Sequence, residues 1–137
     1  MRVFGDPAGD RAGDTVDETP LMLLRAAGLP AQPAPSNDPL LRRAALSGPL
    51  TRLCGDGLPG FLVSTKCPVL RKALAGGFCY RRLKVMHREL YTDQPEKNEY
   101  SHPAEACEYG LMGAGEHAAA LTPSVRQNRP RHSYALT

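Results

Sequence analysis

Strand-forming sequence is scarce in this chain, and that scarcity limits what it can fold into. Arg2-Val-Phe-Gly5 is a very short apolar run that stops at Asp6-Pro-Ala-Gly9, the pattern of a strand end followed by a loop. Gly60-Phe-Leu-Val-Ser64 is the best strand candidate, apolar and β-prone. The sequence between them has the punctuation of helices and loops, not of tight hairpins, which predicts an α/β fold. Two strands make a marginal sheet, so further strands are expected on the N-terminal side.

The helical segments can be placed from their caps. Asp17 is a candidate cap for a helix with Glu18 and Pro20 in its first turn and Leu21, Leu24 and Ala27 on one face, closed by Gly28. Residues 29–37, with three prolines, read as a loop. Asp38-Pro39 opens a second helix with an apolar stripe of Leu40, Leu41, Ala44 and Ala45, broken or kinked at Gly48-Pro49. A turn is expected at Gly55-Asp-Gly57, and a short basic helix from Pro68 to about Ala75, ended by Gly76-Gly77. Phe78 to Leu90 reads as a hairpin or as a strand with a loop. Ser101 is a candidate cap for a last helix that fades at Gly110, Gly113 and Gly115. From about Glu116 the chain turns Ala-rich, then polar and basic, a composition expected to be disordered. The expected division is therefore a domain over 1–113 and a tail over 114–137.

Charge is unevenly distributed although the net value is only +3. Asp6 to Glu18 holds five acids and one base, while Gly57 to Arg88 holds seven bases and no acid. An acidic pocket beside a basic strip suits a polyanion cut at a metal site, and a solvated basic face is the equally weighted alternative. Cys54, Cys67, Cys79 and Cys107 match no zinc pattern and read as reduced thiols. The opening residues lack a cationic region followed by an apolar run, so no leader is expected. No apolar run is long enough for a membrane span. Gly60 to Lys66 lacks the second glycine and the lysine order of a phosphate loop, which excludes a nucleotide site there.

Two acids stand out. Asp6, at the end of a strand, is where open α/β sheets present ligands and where Mg²⁺ finds an oxygen donor, although a turn-forming Asp-Pro explains it as well. Glu105 falls in the first turn of the last helix, either as a partner of the helix dipole or as a second metal ligand to the same site. His102 either orients that carboxylate or sits exposed.

Taken in order, Gly5-Asp-Pro-Ala-Gly9 with Asp17-Glu-Thr19, Pro33-Ala-Pro-Ser-Asn-Asp38 with Arg42-Arg-Ala44, Gly57-Leu-Pro-Gly-Phe-Leu-Val-Ser64 with Cys67, Leu70-Arg-Lys-Ala-Leu-Ala-Gly-Gly77 with Tyr80-Arg-Arg82, and Pro95-Glu-Lys-Asn98 with Tyr100-Ser-His-Pro103, Ala106 and Tyr109 form a specific set. From about residue 2 to residue 112 this order and spacing resembles the late nuclease domain of phage terminase large subunits, the DNA-packaging motors. The resemblance implies a partial RNase H-like fold made of its late strands and C-terminal helix. It implies metal-dependent cleavage of concatemeric viral DNA with Mg²⁺ or Mn²⁺, and it puts Asp6 and Glu105 at two of the three acidic positions. The first catalytic strand with its Asp, and the ATPase domain, would precede Met1, so the fragment is expected to bind metal weakly and to be inactive alone. Glu105 stands where the family has Asp, and Ser47-Gly-Pro49 interrupts the family's helix. Implied partners are double-stranded DNA, held without sequence readout by Lys66, Arg71, Lys72, Arg81, Arg82 and Lys84, and, for the full-length protein, the terminase small subunit and the portal. The implied location is the bacterial host cytoplasm. The non-enzymatic alternative is a small basic remnant that binds DNA or a partner.

Overall fold

A computed structural model describes residues 2–11, 18–85 and 88–121 and shows a mixed arrangement of helices and strands. Strand β1 (Val3–Gly5) is followed by a single 3-10 turn over Pro7–Asp10. Helix α1 (Pro20–Ala26) is capped by Thr19, whose hydroxyl accepts from the Met22 amide; the expected cap, Asp17, lies outside the described residues. Strand β2 (Ala31–Pro33) then pairs with β1 in parallel, Phe4 opposite Gln32. This strand falls in the segment expected to be a loop. Its prolines hide it from β-propensity, yet Pro33 sits at the end of the strand, where a missing donor costs little.

Helix α2 (Pro39–Thr51) starts on Asp38, whose carboxylate accepts from the amides of Leu40 and Leu41 at 2.7 and 3.3 Å. Of the break or kink expected at Gly48-Pro49, the break does not occur: the helix continues with Pro49 buried inside it. Ser47 and Thr51 turn their hydroxyls back onto the carbonyls of Arg43 and Ser47, which supplies donors to backbone acceptors around the proline. The buried stripe is Ala45, Leu46 and Pro49, while Leu40 is 69% exposed.

The strongest sequence-level strand, Gly60-Phe-Leu-Val-Ser64, forms no strand. The one ladder contact nearby is a bridge from Leu53 to Pro59. Only its first residue is held, the Gly60 amide donating to the Arg52 carbonyl at 2.8 Å, and 61–64 join no ladder among the described residues. Helix α3 (Pro68–Lys72) runs into one wide π-type turn over Ala73–Gly77. Of the two alternatives for Phe78 to Leu90, a hairpin or a strand with a loop, the hairpin forms and runs on to Pro95, as β3 (Tyr80–Val85) and β4 (Arg88–Pro95), antiparallel, with an irregularity where Tyr80 faces Pro95 but Arg82 faces Tyr91.

Helix α4 (Ser101–Gly113) is the centre of the molecule. It packs on α2 and on β1. Ser101 is not its cap but its first residue, buried, donating to the Asn98 carbonyl at 2.7 Å. Asn98 in turn reaches the Gly77 carbonyl, which ties the start of α4 to the turn after α3. The helix passes through Gly110 without fading. Gly113 is needed because the Phe4 ring lies against it, leaving no room for a Cβ. Gly77 is needed for the same reason: a Cβ there would stand 2.6 Å from the Tyr100 ring. The core cluster is Ala34, Ala45, Tyr109 and Met112, with Leu41 and Leu111 at its edge. Small side chains let α2 and α4 approach closely, and burying Met112 completely contributes roughly 1.5–3 kcal/mol. After a turn over 114–117, helix α5 (Ala118–Leu121) occupies the start of the expected tail, and 122–137 lie outside the described residues. No helix of the described residues is long and apolar enough to cross a membrane.

Candidate functional site

The end of β1, the start of α2, the end of β4 and the second turn of α4 converge on one hollow of about 270 Å³. Asp6 and Glu105 both line it, together with Asn37, Arg42, Asp93 and Lys97. The two acids singled out from sequence, far apart along the chain, therefore share a pocket.

Each is positioned by local structure. Asp6 leaves β1 and caps the 3-10 turn, one carboxylate oxygen accepting from the Ala8 amide at 2.9 Å. Glu105 lies in the second turn of α4, not the first, so the helix dipole does not explain it. Its partner is the Lys97 ammonium, with which it forms a close ion pair. The Glu105 side chain is 16% exposed and that of Lys97 65%. His102 is exposed at the start of the helix, and the charge next to Glu105 comes from Lys97 instead.

Asp93 and Gln94 enter the pocket because of the irregularity in β4. A bulge bends a strand and re-aims its side chains. Here Thr92 holds it, accepting from the Arg81 amide at 3.1 Å and donating to the Gln94 carbonyl at 2.7 Å. Nothing in the run Tyr91-Thr-Asp-Gln-Pro95 announces a bulge, so Asp93 was not legible from sequence.

The floor is a polar cluster on Tyr109. Its hydroxyl donates to Asn37 Oδ1 at 2.5 Å and accepts from Arg42 at 2.7 Å, while the Arg42 guanidinium lies 5.0 Å from the Tyr109 ring centre. Burial, reinforced by the Asp6 charge and opposed by Arg42, pushes the phenol up to about 12, so it remains neutral as a donor. Arg42 also pairs with Glu108 at 3.6 Å, both side chains being largely buried. Burial raises the Glu108 carboxyl above its ordinary value, against the opposing pull of Arg42.

The six bases assigned to the backbone of a polyanion are exposed: Lys66 before α3, Arg71 and Lys72 on α3, and Arg81, Arg82 and Lys84 on β3. None lines the carboxylate pocket, whose cations are Arg42 and Lys97. Cys54, Cys67 and Cys79 are exposed free thiols and Cys107 is a partly buried one.

Among the described residues no group of three or more His, Cys, Asp or Glu is close enough to hold a metal ion. Comparison with protein-family models, curated proteins and solved structures returns no match.

Proposed function

We propose that this chain is part of the RNase H-like nuclease domain of a phage terminase large subunit, retaining a weak divalent-metal site and a DNA-binding surface. The observation that carries the reading is the shared pocket of Asp6 and Glu105, two residues chosen from motif positions that lie at opposite ends of the resemblance. Asp6 and Glu105 would hold Mg²⁺ or Mn²⁺. Bound there, the ion supplies Lewis acidity toward a phosphodiester and lowers the pKa of its water. The chain's own groups do the rest. Tyr109, neutral and fixed by Asn37 and Arg42, borders the Asp6 end of the pocket as a hydrogen-bonding group, and exposed bases on α3 and β3 hold the sugar-phosphate backbone without reading sequence.

The donors of the pocket favour low activity. Two carboxylates bind an ion weakly, and Lys97 already neutralises one of them. That ion pair also favours the second reading, a non-enzymatic DNA-binding remnant. Calorimetric titration with Mn²⁺ and a plasmid-nicking assay on the purified chain test the proposal together. Weak Mn²⁺ binding, lost in both Asp6→Ala and Glu105→Gln, with at most trace nicking that follows the same loss, is the expected result. Mn²⁺ binding untouched by either substitution would overturn the metal site. Salt-sensitive DNA binding with no metal-dependent nicking would leave the second reading in place.

A further inference from the structure

The carboxylate pocket does not end at its own walls. It shares Pro39, Arg42 and Pro95 with a second, mainly apolar hollow of about 240 Å³ between α2, the turn after α3 and the hairpin. That hollow shares Arg43, Phe78 and Tyr80 with a third, open one of about 620 Å³, whose far wall is Tyr91. The three form a continuous trough, acidic at one end and aromatic at the other.

Its aromatic end has a particular chemistry. The Arg43 guanidinium stacks 4.7 Å from the Tyr80 ring centre, so one face of Tyr80 is already taken. Tyr91 is 55% exposed on β4, directly across from Arg82. A planar, apolar ligand with an anionic backbone fits such a surface: the ring takes the flat face and the flanking arginines take the charge. Nucleobases stack on tyrosine whatever their sequence, and stacked bases must be unpaired.

We propose that this trough receives unpaired nucleotides of a DNA strand, with a base stacked on Tyr91 near Arg43 and the strand leading toward Asp6 and Glu105. The inference rests on the nuclease reading for its ligand class and adds to it that the strand at the site is locally single. Three features carry it: the lining residues that the hollows share in series, the exposed Tyr91 ring and the Arg43 guanidinium that lines the same hollow.

Fluorescence anisotropy on the purified chain decides it. The probes are a labelled oligothymidine of about ten nucleotides, within the span one such groove covers, an abasic oligomer of equal length, and a duplex. The wild type should prefer the thymidine oligomer over the abasic one by roughly tenfold, the scale of a single base–aromatic stack. Tyr91→Ala should erase that preference, Tyr91→Phe should keep it, and duplex affinity should be the same in all three proteins. Equal binding of the base-bearing and abasic oligomers by the wild type, or an undiminished preference in Tyr91→Ala, would overturn the trough while leaving duplex binding and nicking to speak for the nuclease reading. Base-dependent binding without duplex binding or nicking would sink the nuclease reading and leave the trough. No binding of any oligonucleotide would sink both.

Discussion

Glu105 reached the site by a route that its sequence position does not reveal. Its motif position was legible, but its state was not, because the residue that neutralises it arrives from the loop between β4 and α4. Lys97 is mostly exposed, and an exposed ion pair contributes little to stability. Its larger effect is on metal: an ammonium on Glu105 competes with a divalent ion for the same oxygens. Lys97→Ala should therefore raise Mn²⁺ affinity by several-fold, on the order of the interaction between a cation and one partly exposed carboxylate, while leaving the unfolding midpoint nearly unchanged. Calorimetry at low ionic strength reads the first and urea titration the second. Unchanged or weaker Mn²⁺ binding would mean that Glu105 is not a ligand and that its pairing with Lys97 is purely structural. The same scale explains what motif reading missed. Asp93, Lys97 and Arg42 carry the pocket's remaining charge: Asp93 depends on a bulge and Lys97 on a loop path that no spacing rule encodes, and Arg42 depends on where α2 lies against α4.

At the scale of elements, the caps were readable and the pairings were not. Asp38-Pro39 opened α2 where the local chemistry put it, because a carboxylate over two free amides is a short-range effect. The hairpin was also legible as an aromatic and basic run. Gly60 to Ser64 had every strand property except a ladder beyond Gly60, whereas Ala31 to Pro33 had almost none and gained one from β1. Pro49 shows the same override, a helix breaker kept inside a helix by burial. The contact between β1 and α4 is the most demanding of these pairings. Phe4 lies so close to Gly113 that any side chain there collides with its ring. Gly113→Ala should destabilise the fold by about 1–3 kcal/mol, the usual range for overpacking a formed core, even though alanine is the better helix former. Phe4→Leu in the same chain should recover part of the loss. Urea midpoints for the single and double variants measure the coupling. A Gly113→Ala protein as stable as the parent would show that α4 does not hold β1 in this way.

For the whole molecule, the question is what couples the two halves of the core, and the answer lies at the crossing of α2 and α4. There Arg42 and Glu108 are both largely buried, and their neighbours are titratable or charged on every side: Glu105 on α4, Arg43 on α2 and Lys97 from the preceding loop. Burial favours the neutral form of Glu108 more than these cations favour the charged one, so its carboxyl titrates above the ordinary value in the folded chain. The consequence for stability has a definite sign. Below the carboxylate range both states carry the proton and the group is silent. As pH rises, the unfolded chain releases its proton first, so the folded state holds more protons and stability falls with pH until the folded carboxyl has also titrated. Glutamine at 108 mimics the protonated form and cannot follow that decline. Glu108→Gln should therefore match the wild type near pH 4 and equal or exceed it at pH 7, with urea midpoints taken at both values and at pH 5.5 between them. Other carboxylates titrate in both proteins and cancel in the difference. If the Gln variant is instead the less stable one at pH 7 but not at pH 4, the attraction of Arg42 outweighs burial, and the crossing is held by a buried ion pair.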